Sequence, residues 1–162
     1  TLHRPSNVDT PEDLRPIVDA LLRIAENIPV VLVAHPRTMN SLEKFKMRGL
    51  LDDAPAFHLV DPMPYVDFMN LVTHATLTIT DSGGLQEETT YLGIPCLTMR
   101  ENTERPVTVS QGTNKLVDAS TLEGHVDKIL AAEWRTGSRP DLWDGKTAER
   151  AVECLFKRYV AN

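Results

Sequence analysis

From Ile79 to Glu88 the chain reads ITDSGGLQEE: a β-branched run, two adjacent glycines, then a helical pattern that opens on paired acids. Each residue type suits a different part of an anionic ligand. Gly83 and Gly84 let backbone approach a ligand closely and allow dihedrals that a Cβ would forbid. A helix starting near them offers unpaired N–H groups and the positive end of its dipole, which together favour phosphate. Ser82 adds a hydroxyl donor. A carboxylate accepts two hydrogen bonds well, so Glu88 suits the vicinal hydroxyls of a ribose, with Glu87 beside it as a solvated or supporting acid. Read together, the corner suits a nucleoside diphosphate. Asp-Ser-Gly-Gly is equally a good tight turn, and glutamates in a first turn stabilise any helix. Those residues alone leave both readings open. The spacing is neither a G-x-G-x-x-G fingerprint nor a P-loop, since no lysine follows the glycines.

Other groups able to hold phosphate or move protons fall at the ends of strand-like runs. His3 and Arg4 stand at the start, His35 closes VLVAHP, Arg100 closes PCLTMR, and Arg105 lies in the loop beyond. Surface scatter rarely places five such residues on one rim, and charge-assisted bonds from arginine suit a diphosphate. An imidazole at His3 suits proton transfer or charge stabilisation. His58, His74, His125, Trp134, Trp143 and Cys96 read as structural residues.

These groups need elements to position them, and the hydrophobic pattern supplies candidates. Short apolar runs at Pro29–His35, Ala56–Asp61, Ala75–Thr80, Pro95–Arg100 and, more weakly, Lys115–Asp118 read as strands buried on both faces. Helical spacing falls between them. Thr10, Pro11 and the acids Glu12 and Asp13 form a start signal for a helix carrying Leu14, Ile17, Val18, Leu21, Leu22 and Ala25, with Pro16 expected to delay or bend it. Further helices are expected over Ser41–Leu51, Tyr65–Val72, Leu85–Leu92 (ending at Gly93), Leu122–Ala132 and, after the Gly/Pro/Asp-rich stretch 136–145, Thr147–Tyr159. Alternating strands and helix-length crossovers mean parallel pairing and right-handed βαβ units. The fold class is therefore α/β, a Rossmann-like doubly wound parallel sheet, in which ligands bind outside the carboxyl ends of the strands.

The chain has 162 residues, 41% hydrophobic and 25% charged, which suits one domain over residues 1–162 with a substantial core. A net charge of −6 argues against a nucleic-acid surface. Cys96 and Cys154 lack metal-type spacing and read as buried thiols in a reducing, cytoplasmic compartment. No apolar stretch reaches membrane-spanning length. The start, TLHRPSN, resembles no signal peptide and lacks an initiator Met; it reads as the end of a strand whose beginning has been cut away.

The pattern TDSGGLQEE, followed by LGIPCLTMRENTERP, resembles the C-terminal domain of the non-hydrolysing UDP-N-acetylglucosamine 2-epimerases, and TLHRPSNVD and DPMPYVDFMNL resemble two further segments of it. The resemblance covers nearly the whole chain. It implies one half of a two-domain GT-B-type fold, acting without a cofactor or metal on UDP-N-acetylglucosamine and its manno epimer, with UDP eliminated to a 2-acetamidoglucal and re-added. On this resemblance Ser82, Gly83 and Gly84 hold the diphosphate, Glu88 the ribose and Phe68 lies near the uracil. His3 is the catalytic candidate, and Arg100 and Arg105 support the leaving group. Arg4 and His35 match positions linked to a regulatory UDP-sugar. The resemblance also implies a missing N-terminal domain bearing the catalytic carboxylates, a homodimer of the full-length protein, and a place in polysaccharide biosynthesis. Two departures stand out: His3-Arg4-Pro5 replaces the more frequent His-Arg-Arg, and Val107 replaces a glutamate after TERP. A GT-B glycosyltransferase, a hydrolysing 2-epimerase and a non-catalytic nucleotide-sugar sensor are the alternatives.

Overall fold

Short aliphatic and β-branched runs form the strands that the pattern calls for, in a computed structural model that describes residues 1–134 and 137–159. They are β1 (Val30–Val33), β2 (Phe57–Val60), β3 (Thr78–Thr80), β4 (Cys96–Met99) and β5 (Asn114–Val117). Every pairing is parallel. β1 pairs with β2 in the register Val30 to Phe57, and β4 lies between β3 and β5, with Thr78 opposite Cys96 and Cys96 opposite Asn114. The hydrogen-bonded sheet is thus in two pieces, β1-β2 and β3-β4-β5.

The helices that cross between strands follow their local signals. α1 (Pro5–Val8) and α2 (Pro11–Ala25) each begin on a proline, whose missing N–H costs nothing in a first turn. At α2 the Thr10 hydroxyl accepts the Asp13 N–H at 3.2 Å. Pro16 does not delay α2, which starts at Pro11 and runs through it: Pro16 sits on the exposed side, where the carbonyl it leaves unpaired can meet water. The expected helix over Ser41–Leu51 is instead two, α3 (Pro36–Lys44) and α4 (Arg48–Asp52). Lys46 adopts φ 56° between them, and a left-handed residue ends a right-handed helix. α5 (Tyr65–His74), α6 (Gly83–Leu92), α7 (Pro106–Ser110), α8 (Leu122–Leu130) and α9 (Thr147–Tyr159) complete the chain. α6 closes on Gly93 at φ 77°, the conformation for which glycine is suited.

α2 lays Leu14, Ile17, Val18, Leu21 and Ile24 against Leu32, Leu97, Met99 and Val117 of the sheet and against Leu122 and Val126 of α8, making one buried cluster. A smaller cluster of Val72, Leu85 and Ile94 joins α5 to α6, with Phe68 and Met69 packed on it. Two apolar surfaces remain open. One is a cavity of about 300 Å³ between β1 and β3, the strand edges that pair with nothing else in the sheet; it is lined also by Leu21 and Ile24 of α2 and by Phe68 and Leu71 of α5. The other is α9, which buries no residue although Val152, Leu155, Phe156 and Tyr159 recur at the spacing of one helical face. Cys96 is buried as expected, but Cys154, on α9, is exposed. The loop before α9 begins at position 136, which lies outside the described residues.

Residues 1 and 2 lie at the carboxyl mouth of the cavity, where the Thr1 amino group donates to the Ile79 carbonyl at 2.8 Å.

Candidate functional site

The corner after β3 is built around Asp81, which is fully buried. Its carboxylate accepts the backbone N–H of His3 at 3.0 Å and of Arg4 at 2.9 Å, together with the Asn7 side-chain amide at 2.9 Å. His3 Nδ1 lies 3.0 Å from the same carboxylate. Arg4 Nε donates to the Asp81 carbonyl at 3.1 Å, and the Asn7 amide also reaches the Met99 carbonyl at 3.0 Å. A buried carboxylate is tolerated where donors surround it, and these donors hold residues 3–7 across the carboxyl ends of β3 and β4. Pro5 opens α1 directly behind this clamp.

The clamp fixes an imidazole. With Nδ1 on Asp81, His3 presents Nε2 as its remaining ring nitrogen, and its side chain is 40% exposed. The His35 ring lies 5.4 Å away between centroids. His35 caps α3, its Nδ1 accepting the Arg37 N–H at 3.1 Å, so a neutral His35 carries its proton on Nε2. His3, Arg4 and His35 therefore gather at one place, as expected from their strand-end positions.

Ser82, Gly83 and Gly84 continue straight from Asp81. Ser82 takes the position before the first turn of α6, and its side chain makes no capping bond. The glycines correct one expectation. Neither has positive φ; among the described glycines only Gly93 and Gly145 do. A Cβ built on Gly83 or Gly84 would meet nothing within 4 Å. Their conformation is one that any residue adopts, so what glycine contributes here is an unobstructed approach to the first N–H groups of α6.

The outward face of α6 carries the glutamates. Glu88 Oε1 accepts from the Tyr65 hydroxyl at 2.8 Å, a bond that raises the pKa of the phenol. Glu87 Oε1 lies 2.9 Å from Arg105 Nε, an ion pair without hydrogen-bond alignment. Arg105 thus stands beside the second turn of α6. Arg100 is differently placed: its side chain is 7% exposed and grips Glu104 through both terminal nitrogens at 2.7 and 2.8 Å, holding the Glu104 carboxyl down at about 2. Phe68 is half-buried on the Val72–Leu85–Ile94 cluster, and the aromatic residue that contacts Glu88 is Tyr65, one turn earlier. Sequence reasoning missed Tyr65 and Asp81. Tyr65 had a signal in its position at the first turn of α5; Asp81 had only its place between a strand end and Ser-Gly-Gly, which a turn explains equally well.

Among the described residues no three His, Cys, Asp or Glu side chains are grouped to hold a metal ion, and no helix is long and apolar enough to cross a membrane. What the corner offers is a bare helix start, an adjacent guanidinium and a carboxylate pair. Those groups can hold a dianion and a diol together.

Known proteins carry the same arrangement of chain. The sequence profile for UDP-N-acetylglucosamine 2-epimerase matches residues 1–156. A UDP-N-acetylglucosamine 2-epimerase of Methanocaldococcus jannaschii is 38% identical over 158 residues, which is 96% of this chain and 43% of that protein. The crystal structure of the Methanocaldococcus jannaschii epimerase in complex with UDP-GlcNAc and UDP superposes with a TM-score of 0.82 at 36% identity, over 96% of this chain and 44% of that one. A Pseudomonas aeruginosa UDP-2,3-diacetamido-2,3-dideoxy-D-glucuronate 2-epimerase is 40% identical over 121 residues, 74% of this chain and 32% of that protein. The chain spans less than half the length of these relatives. Its mixed α/β architecture with parallel strands is that of one half of a GT-B-type enzyme. The chain belongs to the UDP-N-acetylglucosamine 2-epimerase family.

Proposed function

We propose that the chain is the UDP-binding domain of a cytoplasmic epimerase that interconverts UDP-N-acetylglucosamine and UDP-N-acetylmannosamine. The observation that carries this reading is the uncapped start of α6, with open space at Gly83 and Gly84 and with Glu88 on the next turn. In this reading the diphosphate meets the amides of the Ser82–Gly84 turn and Arg105, and the ribose hydroxyls meet Glu88. Arg105 leaves Glu87 for the more highly charged diphosphate. Arg100 acts indirectly, by stiffening the loop through Glu104. Phe68 and Tyr65 stand on the side from which the uracil ring enters, and Arg4 with His35 offers a second, regulatory anion contact. The Pseudomonas aeruginosa relative differs by name in its sugar, which suits a domain whose task is the UDP end of the substrate.

The chemistry then divides between two domains. A base in the remaining polypeptide takes the C2 proton, the C1–oxygen bond breaks, and its electron pair leaves on the β-phosphate oxygen of UDP. Fixed amide donors and a guanidinium stabilise that growing charge more than they stabilise the ground state. His3, oriented by Asp81, stands as the nearest proton donor or charge-stabilising group of this half. Keeping UDP bound after it leaves permits re-addition to the glucal with a proton delivered to the other face of C2. The open β1–β3 cavity and the apolar stripe of α9 are surfaces for the remaining polypeptide, of which the relatives have more than this chain's own length.

The domain alone should bind UDP and epimerise nothing. By calorimetry Glu88→Ala should weaken UDP about tenfold, the equivalent of one lost charge-assisted bond. Gly83→Val should weaken it at least as much while leaving the melting temperature within a few degrees, because a Cβ at Gly83 meets nothing within 4 Å. UDP affinity unchanged in both variants would remove the site.

Full-length protein given UDP-N-acetylglucosamine without an acceptor should yield the manno nucleotide, followed by proton NMR. A glycosyltransferase would yield no manno product, and a hydrolysing 2-epimerase would release free sugar.

A further inference from the structure

Behind the proposed diphosphate site lies a buried polar network centred on Gln86, a residue to which nothing above gives a role. Its side chain is fully buried. Nε2 donates to the carbonyl of Ser82 at 3.1 Å, and Oε1 accepts from the Thr103 hydroxyl at 2.6 Å and from the Asn114 amide at 3.1 Å. Asn114, equally buried on β5, accepts from Thr98 at 2.6 Å and donates to the Thr108 hydroxyl at 3.1 Å.

The two threonines at the edge of this network hold one residue between them. Thr103 Oγ1, while donating to Gln86, accepts the N–H of Arg105 at 3.0 Å. Thr108 Oγ1, while accepting from Asn114, donates to the carbonyl of Arg105 at 2.7 Å. Both peptide groups of Arg105 are therefore fixed by hydroxyls that are themselves fixed through Gln86 and Asn114. The other end of Gln86 is tied to Ser82, the residue from which α6 starts. A glutamine in this interior is costly unless all its bonds are made, and here both ends are engaged. An apolar side chain would pack without setting any distance between the two loops.

We infer that Gln86 is a positioning residue that sets the Arg105 loop against the Ser82–Gly84 turn, so that guanidinium and helix start meet a pyrophosphate as a ready-made pair. The inference rests on the nucleotide-site reading. It assigns Gln86 the diphosphate and not the nucleoside, because its bonds lead to Ser82 and Arg105 and none leads to Tyr65 or Glu88. Pre-set geometry is worth most for a group bound at two points at once.

The test compares UDP with uridine on the full-length protein, by calorimetric titration for UDP and NMR titration for uridine. Gln86→Met, close in volume and without the amide, should cost at least tenfold in UDP affinity and leave uridine within twofold. Thr103→Val should cost UDP about fivefold, and Thr103→Ser, which keeps the hydroxyl, should restore it. Thr103 is at the edge of the network, so its pair of variants carries the test if Gln86→Met does not fold. Equal losses for UDP and uridine would mean a general structural role and overturn the inference. So would a wild type that prefers UDP and keeps that preference in Gln86→Met and Thr103→Val. A wild type that binds UDP no better than uridine would remove the nucleotide site itself, and this inference with it.

Discussion

The placement of the imidazole beside the Ser82–Gly84 turn depends on one buried carboxylate. Asp81 is withdrawn from water at the end of β3 and would be strongly unfavourable there without partners. Backbone amides of two successive residues, an asparagine amide and an imidazole supply them. That satisfaction is also a set of positions: it ties the segment carrying His3 and Arg4 to the strand whose next residues are Ser82 and the glycines. The Ser82–Gly84 turn and the imidazole are held together because both are attached to Asp81, one through the chain and the other through its carboxylate.

An acidic chain that is to bind a diphosphate, as proposed, has to keep its cations available at one spot. Here they are held locally by acids. Arg105 rests on Glu87 of α6, and Arg100 rests on Glu104 in the loop beyond β4. The two pairs differ in kind. Arg100 is buried and bidentate, a fastening of the loop; Arg105 is half-exposed and poorly aligned with its acid, an arrangement easily exchanged for a ligand of higher charge.

Much of this was legible in the sequence, because strands buried on both faces are continuous apolar runs and amphipathic helices repeat at helical spacing. VVLV, FHLV, TIT and CLTM stand where those runs place them, and the strand-end rule points to the corner proposed as the site. Backbone exceptions were less legible. Lys46 in a left-handed conformation splits the helix expected over 41–51, and nothing about lysine announces that. Buried polar residues were the least legible, since Asp81, Gln86 and Asn114 have no period and only three-dimensional neighbours justify them. The glycine pair was read incorrectly as a conformational necessity; the open space at both positions is compatible with close approach, and one letter cannot separate the two roles.

A crystal structure of this chain with UDP tests the central claim most directly. The account predicts pyrophosphate oxygens on the backbone amides of Gly83 and Gly84, the Arg105 guanidinium turned from Glu87 towards them, and ribose hydroxyls on Glu88. Ordered UDP elsewhere on the molecule, with the start of α6 empty and Arg105 still on Glu87, would contradict it.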